Sequence, residues 1–165
     1  MIRLATRDDL PQLKEVYQNA RAYMKRTGNP TQWGDTQPPM EWLEKDIERQ
    51  ELYVCYEGDT VYGAFMLMFD PEPAYAHPIE GAWLNDAPYG TVHRIASRGI
   101  RGGVFDESLH YCKSRIDNVR IDTHPDNKTM QHLCERNGFA RCGLITVSDG
   151  SLRILYHWIR GVTEK

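Results

Sequence analysis

The sequence predicts an α/β (α+β) domain with elements in the order β-α-α-β-β-β-α-β-α-β-β. Three observations predict it. Two β-rich runs flank an "EGDT" reversal at 57–60. Apolar residues recur at steps of three and four in four separate segments. A strand, a glycine-bearing turn, a helix and another strand follow one another from Thr91 to His124. At 165 residues the chain is long enough to bury a core without disulfide or metal staples, and residues 1–165 read as one domain.

The elements are justified in turn. "MIRLAT" is a short strand, after which Thr6 and Asp9 carry the spacing of a capping box and Pro11 suits a first helical turn. Leu10, Leu13, Val16, Tyr17, Ala20 and Met24 then form one apolar stripe, closed by Gly28 and Pro30. A proline-rich loop follows, with Trp33 read as exposed, and Pro38–Pro39 open a second helix packed through Met40, Leu43 and Ile47. "ELYVCYEGDTVYGAFMLMFD" is a hairpin. Residues 71–90 hold four of the nine prolines and read as a long irregular loop.

"TVHRIAS" is the next strand, and "GGVFDESLHYCKSRI" a helix with Phe105, Leu109, Cys112 and Ile116 on its inner face. "NVRIDTH" is a strand. "DNKTMQHLCERNGF" is a helix capped by Asp126 or Asn127, lined by Met130, Leu133 and Cys134 and closed by Asn137-Gly138. "FARCGLITV" and "LRILYHWIR" end the chain as an antiparallel pair around "SDGS".

Composition excludes several classes of function. The formal charge is −3 and the basic residues are scattered, so no nucleic-acid partner is expected. No signal peptide and no apolar run of membrane-spanning length is present, so a cytoplasmic protein without a membrane partner is expected. The four cysteines show no C-x-x-C spacing and read as buried thiols, with no metal site. A small-molecule partner is expected instead.

The turn between Ser97 and Val104 carries the sharpest signal. A helix entered from a strand through glycines presents unpaired amides and the positive end of its dipole, which together form an anion site. Arg98 and Arg101 add charge able to pair with phosphate oxygens. The plainer reading is a turn that needs glycine for its geometry. Neither a P-loop, which needs Lys-Ser or Lys-Thr after the last glycine, nor an early G-x-G-x-x-G fits.

"HRIAS", "RGIRGG" and "NKTMQHLCERNGF" together resemble the GNAT acyltransferase superfamily, as central strand, pyrophosphate loop and Asn-containing helix ending in Asn-Gly-Phe. The resemblance implies a GNAT fold, with a mixed, mostly antiparallel central sheet of about seven strands and about four helices. It implies acetyl-CoA as co-substrate and transfer of the acetyl group to a primary amine of a small molecule by direct attack. The family loop reads Q/R-x-x-G-x-G/A. Starting at Arg98, its glycine slots hold Arg101 and Gly103, and two places later they hold Gly103 and Phe105.

Carried over residue by residue, the resemblance gives Ile95, Ala96, Ser97, Arg98, Arg101, Gly102, Gly103 and Val104 a role in holding coenzyme A. An amide near Ile95 or Ala96 would polarise the acetyl carbonyl, and Asn127 would bond the pantetheine arm. Where many members place a proton-donating tyrosine this chain has Cys134, which is also a packing residue. The family's basic glutamate is missing from the central strand. His93, with an imidazole pKa of about 6.5, is the candidate base and Glu80 the reserve. Trp33, Asp35, Tyr75 and Trp83 are candidates for the acceptor pocket, or else aromatics that clamp their own loops. The alternative function is a non-catalytic acyl-CoA-binding or sensing domain. The exposed last strands leave a homodimer open.

Overall fold

The structure is a computed structural model and describes residues 1–164. Its elements are β1 (Ile2–Leu4), α1 (Leu10–Arg26), α2 (Met40–Glu48), β2 (Leu52–Glu57), β3 (Thr60–Met68), β4 (Glu80–Gly81), β5 (Gly90–Ser97), α3 (Val104–Lys113), β6 (Asn118–Thr123), α4 (Lys128–Arg136), β7 (Ala140–Thr146) and β8 (Leu152–Ile159). The sheet order is β1-β2-β3-β5-β6-β8-β7-β4. Strands β5 and β6 run parallel, while β1–β2, β2–β3, β6–β8, β7–β8 and β4–β7 are antiparallel. This is the mixed, mostly antiparallel architecture expected, with one strand added. The addition is β4, two residues drawn from the long loop, too short to carry a periodic signal.

The chain folds as two compact units. The first comprises Met1–Leu67 and His93–Tyr111. Its helix α1 starts where the sequence places it: the Thr6 amide donates to Asp9 Oδ2 at 2.8 Å, and a single 3₁₀ turn over residues 7–9 leads into the helix. Arg3 grips the same carboxylate through two nitrogens at 2.8 and 2.9 Å, which holds Asp9 below the usual carboxylate range. Leu13, Val16, Tyr17 and Ala20 form the buried stripe and meet Leu43, Leu52, Val54, Val61 and Ala64. Full burial of a leucine or valine side chain contributes roughly 1.5–3 kcal/mol. That core fixes α1 and α2 on β2 and β3.

Two details of this unit depart from the sequence expectation. Trp33 is half-buried rather than exposed, because its ring packs 5.7 Å from that of Tyr17 against the same core. In the loop after β5 the helix begins at Val104, two residues later than its glycines suggested. Val104 and Leu109 are therefore fully buried, and Phe105 only partly.

The second unit comprises Met68–Val92 and the chain from Cys112 onward. Gly90 and Thr91, at the start of β5, pair here with Val119 and Arg120 of β6. Most of the long loop is ordered by its aromatics. Tyr75 stacks 4.8 Å from Trp83, the Trp83 indole donates to the Tyr75 carbonyl at 2.9 Å, and Tyr75, Ile145 and Leu155 form a buried cluster. Strand β4 lies flush on β7 because Gly81 faces Gly143: a Cβ on Gly81 would stand 2.1 Å from the Cys142 carbonyl oxygen, and one on Gly143 2.4 Å from that of Glu80.

Candidate functional site

Strand β5 delivers the chain into the turn that the sequence singled out. The Asn19 amide donates to the Ser97 carbonyl at 3.0 Å, and the Arg98 amide to the Tyr62 carbonyl at 3.0 Å, so the end of the strand is held from both sides. Gly63 in β3 then lets the helix come close, since a Cβ there would stand 2.4 Å from Val104 Cγ1. Gly103, with φ at 78°, takes the left-handed conformation that reverses the chain, and its carbonyl accepts the Glu107 amide at 3.0 Å as the first bond of α3.

The amides of the first turn, at Val104 and Phe105, precede any carbonyl that they could bond within the helix. A Cβ on Gly102 or Gly103 would meet nothing within 4 Å, so a ligand has room to approach the main chain. Of the two acidic residues in the first turn, Asp106 and Glu107, the second is turned aside. The Glu107 carboxylate accepts the Tyr62 hydroxyl at 2.8 and 2.9 Å and pairs with the N-terminal amine at 3.4 Å. These residues fit the diphosphate of a coenzyme A, because the donors are backbone amides and the helix dipole favours an anion.

The two arginines of the turn differ. Arg98 Nη1 donates to Gln12 Oε1 at 2.9 Å and to the Val61 carbonyl at 3.0 Å, and its Nη2 pairs with Glu15, so its guanidinium is already committed. Arg101 lies over the Tyr62 ring, 4.3 Å from its centre, and among the described residues its one ion-pair partner is an exposed Glu57 at 3.3 Å. Such surface pairs contribute about 0–1 kcal/mol, so Arg101 is free to turn toward a phosphate.

Ile95, Ala96, Ser97, Arg98, Arg101, Gly102, Gly103 and Val104 all lie in the first unit, along one stretch of chain, with His93 half-buried at its start. Trp33 and Asp35 belong to this unit as well, and Asp35 is exposed and paired with Lys25. The remaining candidates lie in the second unit. Asn127 is the N-cap of α4, its Oδ1 accepting the Met130 amide at 3.0 Å. Cys134 is fully buried on the apolar face of α4, and burial pushes its thiol well above the ordinary value, which makes it a poorer acid. Glu80 is exposed on β4. Tyr75 is buried, its hydroxyl donating to Asp122 Oδ2 at 2.6 Å.

Sequence reasoning passed over Arg94, Asp46, Arg120 and His157. Arg94 pairs with the buried Asp46 at 2.6 Å in the first unit. In the second, Arg120 is sandwiched between the rings of Trp83 and Tyr89, 4.3 and 3.8 Å from their centres. His157 accepts the Leu84 amide on Nδ1 at 3.1 Å and lies 2.9 Å from Asn118 Oδ1 through Nε2. A charged residue inside an apolar strand was the signal available for Arg94, Arg120 and His157. Among the described residues no cluster of three or more His, Cys, Asp or Glu side chains is placed to hold a metal ion, and no helix is long and apolar enough to cross a membrane.

The sequence matches no family model and no curated protein. Solved structures do match. A GNAT-family acetyltransferase from Streptococcus agalactiae is 29% identical with a TM-score of 0.86, over 97% of this chain and 95% of that one. The chain has the GNAT fold. The resemblance first carried by three short motifs therefore extends over nearly its whole length. The same fold is shared with the ribosomal-protein-alanine N-acetyltransferase of Brucella melitensis, at 19% identity, TM-score 0.61 and 96% of this chain and 99% of that one. It is shared again with an aminoglycoside N-acetyltransferase, at 18% identity, TM-score 0.60 and 97% and 96% of the two chains. These GNAT-fold neighbours are named for acceptors as different as a protein and an antibiotic, so the fold does not choose the acceptor.

Proposed function

We propose that this chain is an N-acetyltransferase that moves an acetyl group from acetyl-CoA to a primary amine of a small molecule by direct attack, with no covalent enzyme intermediate. The observation that carries the reading is the Gly103 turn between β5 and α3, where a Cβ on Gly102 or Gly103 would meet nothing within 4 Å just ahead of the first-turn amides of α3. Acetyl-CoA supplies the activated thioester.

The chain's own residues supply binding, polarisation and proton handling. The main chain from Arg101 to Val104 holds the diphosphate, joined by the mobile charge of Arg101. An amide near Ile95 or Ala96 polarises the carbonyl, and Asn127 steadies the pantetheine arm. Attack needs a neutral amine, and the His93 imidazole takes the proton. Glu80 is the alternative base. The buried Cys134 packs α4 and the departing thiolate takes its proton from water. Trp33, Asp35, Tyr75 and Trp83 belong to the loops that shape the acceptor side, the last two by fixing the loop rather than by lining it.

Two measurements test this. Calorimetric titration with acetyl-CoA should show binding that Arg101→Glu weakens by about tenfold or more through repulsion of the phosphates. Thiol release in a panel of primary amines should then show turnover. Wild-type affinity in Arg101→Glu would sink the placement of the carrier. Binding without turnover on any amine would leave the second reading, an acyl-CoA-binding or sensing domain, which the burial of Cys134 at the tyrosine position favours.

A further inference from the structure

Arg94 breaks the apolar run of β5 with a cation, and its φ of 52° is left-handed inside a strand. For a residue with a Cβ this conformation costs roughly 1–2 kcal/mol. The surroundings hold it in place. Tyr17 donates its hydroxyl to the Arg94 carbonyl at 2.7 Å, and Arg94 Nη1 reaches Asp46 Oδ2 at 2.6 Å and Met66 Sδ at 2.9 Å. The guanidinium carbon stands 5.3 Å from the centre of the Trp42 ring.

Among the described residues, the hydrogen bonds of this guanidinium run from Nη1 alone. The edge formed by Nε and Nη2 is left over, and two parallel N–H groups on one edge match the two oxygens of a carboxylate. The side chain is 22% exposed, so the edge is reachable, and it is partly desolvated, so a pair made there is stronger than one on the open surface. Charge points the same way. Burial raises the Asp46 carboxyl above its ordinary range against the pull of Arg94, Arg49 and His93, so a single, weakly acidic carboxyl stands among two fixed positive charges. Trp42, itself much exposed on α2, offers an apolar wall beside the edge.

Resting on the acetyl-transfer reading, we propose that the Nε–Nη2 edge of Arg94 receives a carboxylate of the acceptor, so that the substrate is an amine that also carries a carboxylate, such as an amino acid. Of the arginines of the turn, Arg98 is saturated by Gln12, Val61 and Glu15, and Arg101 is the one assigned to the diphosphate.

The test begins with the unaltered protein. Acetylation of each standard amino acid is compared with that of its carboxamide, and at least one acid should exceed its amide by about tenfold or more in kcat/KM, the scale of a charge-assisted bidentate pair. Arg94→Gln should abolish that preference, the ratio of acid to amide kcat/KM falling to about one, chiefly through a raised KM for the acid. Arg94→Gln/Asp46→Asn removes the carboxylate that the single variant would strand, and should show the same loss in a folded protein, as judged by its melting curve. Equal rates on acid and amide, or a preference that survives in the double variant, would overturn the proposal. If no amine is acetylated, the acetyl-transfer reading fails separately, and the carboxylate edge is then judged by thermal-shift binding of the same acids and amides in the presence of coenzyme A. Stabilisation by an acid that its amide and the double variant both lack supports the edge, and its absence overturns it.

Discussion

Arg94 and Arg120, one in each unit, are both partly or wholly withdrawn from bulk water, and they are satisfied in opposite ways. Arg120 is 5% exposed and, among the described residues, has no ion-pair partner; its charge is met by the faces of Trp83 and Tyr89, and Nη2 donates to the Asn85 carbonyl at 2.9 Å. Its Nε is buried without a hydrogen-bond partner, and burial lowers its pKa. Arg94 has a carboxylate, Asp46, on one nitrogen and a reachable edge on the others. The first arrangement fastens the 71–90 loop and hides its spare donor, whereas the second leaves its spare donors within reach. Burial and charge are common to both, so neither marks function. What separates them is whether the unused donor can be reached from outside.

The largest effect should come from breaking the fastener. Arg120→Ala removes two cation–π contacts and the packing of the stem together, and should cost about 3 kcal/mol in urea denaturation, with activity falling only as the fold is lost. If Arg120→Ala left stability unchanged while abolishing turnover, the contrast between the two arginines would be reversed. Arg94→Gln should do the opposite, losing roughly 1–2 kcal/mol of stability through the stranded Asp46 while changing acceptor preference.

A pH dependence sharpens the same contrast from the side of the loop. Burial, with some help from Arg120, depresses the His157 imidazole to about 4, so between pH 6.5 and 4 the unfolded chain binds a proton that the folded chain refuses. Stability contributed by neutral His157 is therefore complete above about 6.5 and is lost as pH falls toward 4, to a limit of about 3 kcal/mol. His157→Gln should flatten this part of a stability-against-pH curve. An unaltered curve would show that the loop does not depend on a neutral ring.

The smallest effect concerns Cys134. Its burial beside Met130 and Leu133 makes it a packing residue, so Cys134→Ala should leave turnover within about twofold and cost about 1 kcal/mol in melting experiments. A tenfold loss of rate would instead make the thiol the acid that protonates the leaving group.

The sequence was most legible where one period governs a whole element. The stripe from Leu13 to Ala20, the hairpin around Gly58–Asp59 and the cap at Asn127 are local patterns, and the structure has all three. The turn from Ser97 to Val104 was legible for the same reason, since glycines announce a helix entered tightly from a strand. Arg94 was not, because its meaning depends on a left-handed φ and on an aspartate 48 positions away. Trp33 was misread as exposed because a proline-rich segment hides how its ring folds back onto Tyr17. The clamp of Arg120 is likewise assembled from residues far apart in sequence.

The bare pair Gly81 and Gly143 has an effect beyond its own turn. By letting two backbones lie against each other, with the Ile79 amide on the Leu144 carbonyl at 2.9 Å and the Ala82 amide on the Cys142 carbonyl at 3.1 Å, it seals the rim of the sheet with a scrap of the chain's own main chain. A rim that ends in two residues gives a stray strand only a short template to zip onto, and so guards against filament growth from that side.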